Sequence, residues 1–215
     1  MKTITLSSIK LIVLTLALLT KSAVALEFSD LANEGEIKFL KIRPDPDAYR
    51  YESRVKITHQ SLENGVVTIA TCHRQLDPIR KVEIVFNEER IKKIDVKSFS
   101  KMASATVQDN RVTLMAVQRG ASICIDLESR ALDTLSANEF KLNAGPLMRK
   151  YLDGYLPMSA ILRVDWPANL LTLEKTNPVE QDGVKIYQSH SGAQLDLTFA
   201  GKMTAQIYLK KPVSD

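Results

Sequence analysis

Past residue 25, apolar positions in this chain recur every second residue. Val82, Ile84 and Phe86 alternate with Lys81, Glu83 and Val85. Val112, Leu114 and Ala116 alternate with Arg111, Thr113 and Met115, and Ile123, Ile125 and Leu127 with Ser122, Cys124 and Asp126. The same period runs through Met158 to Trp166, Ala193 to Phe199 and Met203 to Leu209. A period of two puts one face of a strand against a core and the other in water, whereas a helix repeats every 3.6 residues. Turn residues separate the runs: Glu63-Asn64-Gly65, Asp109-Asn110, Asp182-Gly183 and Ser191-Gly192. Asn64-Gly65 predicts a tight hairpin between Val55–Thr58 and Val66–Thr71. About twelve short strands at this spacing predict an all-β fold, an antiparallel β-sandwich that is Ig-like and built of one or two lobes.

One segment departs from the pattern. Between Asn143 and Pro157, Leu147 and Tyr151 are four residues apart, as are Met148 and Leu152. Pro146 suits a first helical turn and Gly154 a helix end, so the spacing predicts a short connector helix over Pro146–Leu152. The organisation expected is a leader over 1–25, a β-sandwich lobe over 26–142, the helical connector over 143–157 and a smaller β lobe over 158–215, packed on the first. The connector serves equally as a crossover between two sheets of one sandwich. The stretch Val164-Asp165-Trp166-Pro167-Ala168-Asn169-Leu170-Leu171 resembles the strand-and-Pro segment of cohesin-like and other Ig-like bacterial sandwiches. The resemblance covers eight residues, implies adhesion or binding, and carries over no functional residue.

The start of the chain reads as an export signal. Lys2 and Lys10 are followed by an apolar run, Leu11 to Thr20, and by Ala23-Val24-Ala25, a small-x-small cleavage triplet. The run is about half of what a bilayer-spanning helix needs. Cleavage near Ala25 predicts a periplasmic or secreted soluble protein with no integral membrane span.

Removing the leader changes the charge. The chain holds 29 Lys and Arg against 25 Asp and Glu, and three of those lysines lie in the leader. The rest is nearly neutral and lacks the basic footprint that phosphate neutralisation requires, so no nucleic-acid partner is expected.

Cys72 and Cys124 are the two cysteines. In an oxidising compartment they predict one disulfide. Cys124 alternates with the apolar set of its strand, which puts the bridge on the wet face. Cys72 precedes His73, but neighbouring strand residues point to opposite faces, so a nucleophile–base pair is not expected there. His59, His73 and His190 show no metal-ligand spacing. No Gly-x-Ser-x-Gly, phosphate loop or glycosidase-like acid pair is present, so no catalytic residue, metal or cofactor is assigned. The basic stretch Arg90 to Lys101 reads as a strand whose lysines guard a sheet edge.

The connector supplies the remaining candidate. Met148, Arg149, Lys150, Tyr151 and Tyr155 combine apolar, basic and aromatic groups of the kind favoured in binding surfaces. The function expected is therefore non-enzymatic: a periplasmic binding or envelope-assembly protein that recognises an envelope or secreted protein or a glycan. The alternative is a periplasmic enzyme or a metal or redox carrier using Cys72 and His73 or a histidine cluster formed in space.

Overall fold

The computed structural model describes residues 31–41, 48–152 and 154–212. The leader expectation, with its cleavage near Ala25, lies outside them. In chain order the elements are β1 (Ile37–Phe39), β2 (Arg50–Lys56), α1 (His59–Asn64), β3 (Val67–Leu76), β4 (Ile79–Val85) and β5 (Ile91–Ser100). They continue with β6 (Ser104–Gln108), β7 (Arg111–Val117), β8 (Ala121–Ser129), β9 (Leu132–Thr134), β10 (Glu139–Leu147) and β11 (Lys150–Tyr151). The last are β12 (Gly154–Tyr155), β13 (Met158–Asp165), β14 (Thr172–Asn177), β15 (Val184–Ser189), β16 (Gly192–Gly201) and β17 (Met203–Lys210).

The largest sheet runs β1-β16-β13-β2-β3-β8-β5, with β15 continuing the edge that β1 begins on β16. It is wider than either sheet of an immunoglobulin domain. Its pairs are antiparallel except one: β13 runs parallel to β2, with Val164 beside Val55. Strands from before and after residues 143–157 therefore share one sheet. A second layer is divided between two smaller sheets, β14-β17-β10-β9 and β4-β7-β6. Inward residues of all three sheets form one continuous hydrophobic cluster, including Ile125, Leu195, Ile207 and Leu114. The alternation read from the sequence matches this burial: Ile123, Ile125 and Leu127 are buried and Cys124 and Asp126 are not. The lysine-rich strand is β5, which closes one edge of the large sheet.

Two local expectations are corrected. β2 and β3 do pair as a hairpin, but the link is α1 and not an Asn-Gly turn. The Thr58 side chain caps the Ser61 N–H and the Ser61 side chain returns the bond to Thr58, a reciprocal cap. Gly65 ends the helix at φ 74°, where an added Cβ would lie 2.7 Å from the Leu132 carbonyl oxygen. The connector helix over Pro146–Leu152 is absent. β10 keeps its pairing to β17 as far as Leu147 opposite Met203, across a bulge at Gly145. The chain then forms the two-stranded β11–β12 ribbon, with Lys150 opposite Tyr155. A two-turn helix has little intrinsic stability, and a ready strand edge outcompeted it. Leu147 is buried while Tyr151 and Leu152 stand exposed, so the i,i+4 pairs never meet.

Candidate functional site

The division of the second layer leaves a cleft of about 780 Å³ between β4 and β10, with the inner face of the large sheet as its floor. The floor follows from the alternation in β2 and β3. Glu52 and Arg54 point outward, where Glu52 pairs with Arg50 and Arg74, and Arg54 pairs with Asp165. Tyr51, Ser53 and Val55 point inward, opposite His73, Thr71 and Ile69 of β3. Ser53 is short, and on the floor of the cleft it fills less space than the Leu and Ile elsewhere in the large sheet. Val82 and Ile84 of β4 form one wall, and Leu142, Ala144 and Pro146 the other. Apolar side chains at the rim stand open to solvent among charged ones: Ile79, Val85, Met148 and Tyr151 are 38, 57, 40 and 54% exposed.

The polar groups of the floor converge on His73, which is 7% exposed. Its Nδ1 lies 2.7 Å from the Tyr49 hydroxyl, and the Tyr51 ring packs against the imidazole at 5.1 Å between centroids. Burial pulls the imidazole pKa down to about 4, so the ring is neutral at neutral pH. Burial likewise pushes both the Tyr49 and Tyr51 hydroxyls above their ordinary pKa, and the charge of nearby Arg149 only partly opposes this at Tyr49. His73 Nε2 is shut off from solvent and has no hydrogen-bond partner among the described residues.

Each cation lining the cleft has an acidic partner. Lys81 meets Glu83 at 2.7 Å, Arg90 meets Asp133 at 3.3 Å, Arg149 meets Asp77 at 2.6 Å and Lys150 meets Glu34 at 3.6 Å. Burial raises the Asp133 carboxyl pKa, but hydrogen bonds from Arg90 and Asn143 and the charges of Arg90 and Lys141 outweigh it and hold the group below its usual range. A second concavity, about 520 Å³, lies on the polar side of β4, β7 and β6. Glu83 lines it with two ion pairs, one along β4 to Lys81 and one across to Arg111 of β7.

The connector residues divide between two roles. Met148 and Tyr151 stand at the rim. Arg149 is largely covered: it donates from Nε and Nη2 to Asp77 and from Nη1 to the Pro157 carbonyl, 2.9 Å away, and lies over the Tyr49 ring. Tyr155 is buried beside Ala32 and Ala200, and its hydroxyl donates to Glu34 at 2.6 Å. Lys150 lies over the Tyr155 ring. Arg149 and Tyr155 thus hold the segment in place and are not a free docking face. Arg149→Ala is expected to cost about 1–2 kcal/mol. A urea midpoint lowered to match would check it, with faster amide exchange over residues 147–157.

Cys72 and Cys124 form the expected disulfide, directly opposite one another in β3 and β8. His73 points to the other face of β3, away from the bridge. Among the described residues no group of three or more His, Cys, Asp or Glu is placed to hold a metal ion. No helix there is long and apolar enough to cross a membrane.

Nothing in the predicted strands points to the cleft: His73 stands there beside Cys72, with which it is not expected to pair, and among three histidines without metal-ligand spacing, and Tyr49 and Tyr51 carry no role. A usable signal was present: Tyr49, just ahead of β2, shares the parity of Tyr51 and Ser53, and the first aliphatic on that face is Val55.

No family model matches this chain, and no curated protein matches it. Among solved structures it is similar to the M1 zinc metallopeptidase from Deinococcus radiodurans, with TM-score 0.38 and 10% identity over 83% of this chain and 43% of that one. A form of that enzyme bound to a Tyr-Ser-Ala substrate gives TM-score 0.38 and 9% identity over the same shares. This chain thus spans less than half the length of the structures it matches.

Proposed function

We propose that this chain is an exported, non-enzymatic binding protein whose ligand lodges an apolar segment in the cleft between β4 and β10. The observation that supports it is continuity: exposed apolar side chains at the rim lead between aliphatic walls to a buried polar floor. Concave sites with apolar linings and a few convergent polar groups are the usual form of small-molecule pockets, and about 780 Å³ lies within their range of roughly 300–1,000 Å³. The disulfide supports an oxidising compartment, and with the leader-like start it favours the periplasm or the exterior. A protein or glycan of the envelope is the partner we favour for the rim. The exposure of Met148 and Tyr151 beside the mouth supports that assignment.

Binding of the apolar fluorophore N-phenyl-naphthylamine tests the reading. The wild-type protein is expected to enhance its emission saturably. Ala144→Trp places an indole on the cleft wall and is expected to weaken binding by about ten-fold or more, with far-UV circular dichroism unchanged. No saturable enhancement, or a variant that binds like wild type, would remove the cleft from consideration.

A further inference from the structure

We infer that the ligand is a neutral acyl lipid whose ester or amide carbonyl accepts a hydrogen bond from His73 Nε2. The inference rests on the cleft reading and names the chemistry at its floor. Tyr49 offers one hydroxyl proton, and its hydroxyl has one partner among the described residues, His73 Nδ1 at 2.7 Å. If Nδ1 carried the imidazole proton, the hydroxyl proton would lack an acceptor and Nε2 would lack a donor. If Tyr49 donates to Nδ1, the imidazole proton sits on Nε2 and a single group is left unmatched. The second arrangement satisfies more of the buried polar atoms. It leaves one N–H donor, closed to solvent and without an acceptor, on a residue that lines the cleft.

A buried donor without a partner is costly, and a ligand that supplies the acceptor recovers that cost. An acyl carbonyl does so at the head of an apolar chain that fits the walls. A free carboxylate fits less well. The four cations lining the cleft, Lys81, Arg90, Arg149 and Lys150, each face an acid already. An ionised head at His73 would lack a counter-charge in a dehydrated site.

Three probes separate the possibilities: monopalmitoylglycerol, the hexadecyl ether of glycerol, which lacks the carbonyl, and palmitate. Each displaces N-phenyl-naphthylamine from the full, disulfide-bonded chain at neutral pH. The ester is expected to bind about five-fold tighter than the ether, with palmitate weaker than the ester. The double variant Tyr49→Phe with His73→Phe removes both hydrogen-bonding partners together and is expected to bind ester and ether alike. Nitrogen-15 spectra of the wild type read the donor without any variant, and the Nε2–H signal is expected to shift with the ester and not with the ether. Equal affinity for ester and ether in the wild type, or an ester preference that persists in the double variant, would overturn the inference while leaving the cleft as a binding site. Failure of all three probes together with the fluorophore would instead overturn the cleft itself.

Discussion

Replacing Cys72 and Cys124 together by alanine is expected to lower folding stability by about 4 kcal/mol. The bridge joins residues 52 apart in sequence, and closing a loop of that size removes that much chain entropy from the unfolded state. The loop contains β4, β5, β6 and β7. It therefore includes the β4-β7-β6 sheet, whose strand β4 walls the cleft and shares no ladder with the large sheet. The bridge lies on the outer face of β3 and β8, so its loss opens no cavity in the core. The cost should thus appear mainly as a shifted equilibrium and not as a changed structure. Urea unfolding followed by far-UV circular dichroism measures it. Wild-type protein in excess reductant should fall on the curve of the double variant. A midpoint that does not move in either case would mean that the bridge contributes nothing to stability.

A second large effect comes from His73. Its pKa is 6.5 when unfolded and about 4 in the folded protein, because burial disfavours the charged ring. Between those values the unfolded chain binds the extra proton, so stability rises with pH across the window. The contribution is fully present above pH 6.5 and is lost as pH falls toward 4, a total of about 3 kcal/mol. The groups around the ring are the Tyr49 and Tyr51 hydroxyls, both held protonated by burial, with Arg149 beyond Tyr49. Neither hydroxyl changes charge in that window. Carboxylates such as Asp133, whose pKa is pulled below its usual range, lose their contribution at lower pH. Urea midpoints taken from pH 7 to pH 5 should fall steadily in the wild type and much less in the Tyr49→Phe, His73→Phe double variant. A profile identical in the two proteins would show that the imidazole is already hydrated in the folded state.

The strand pattern was legible because burial in a sheet depends on residue parity, which each run carries within itself. Val112 and Leu114 needed no distant partner to declare an inward face. The disulfide was legible for a similar reason, since two cysteines leave one pairing. The connector was misread because its four-residue spacings are a local signal and the winning interaction was not. Leu147 is held opposite Met203, a partner 56 residues away in sequence. The Asn64-Gly65 hairpin failed more mildly: the strands paired as expected, but Thr58 and Ser61 together form a helix start that the Asn-Gly signal obscured.

Fold class follows from side-chain alternation, and local patterning carries that information for the long strands such as β7, β8, β13 and β16. The cleft does not. It arises where Tyr51 of β2 meets His73 of β3, where β4 and β10 fail to join, and where Tyr49 reaches His73 across 24 residues. Each of those meetings is between segments remote in sequence, and nothing local records which strand edges end up adjacent. An empty space in a core is a property of all its walls at once, so only the assembled sheets reveal it.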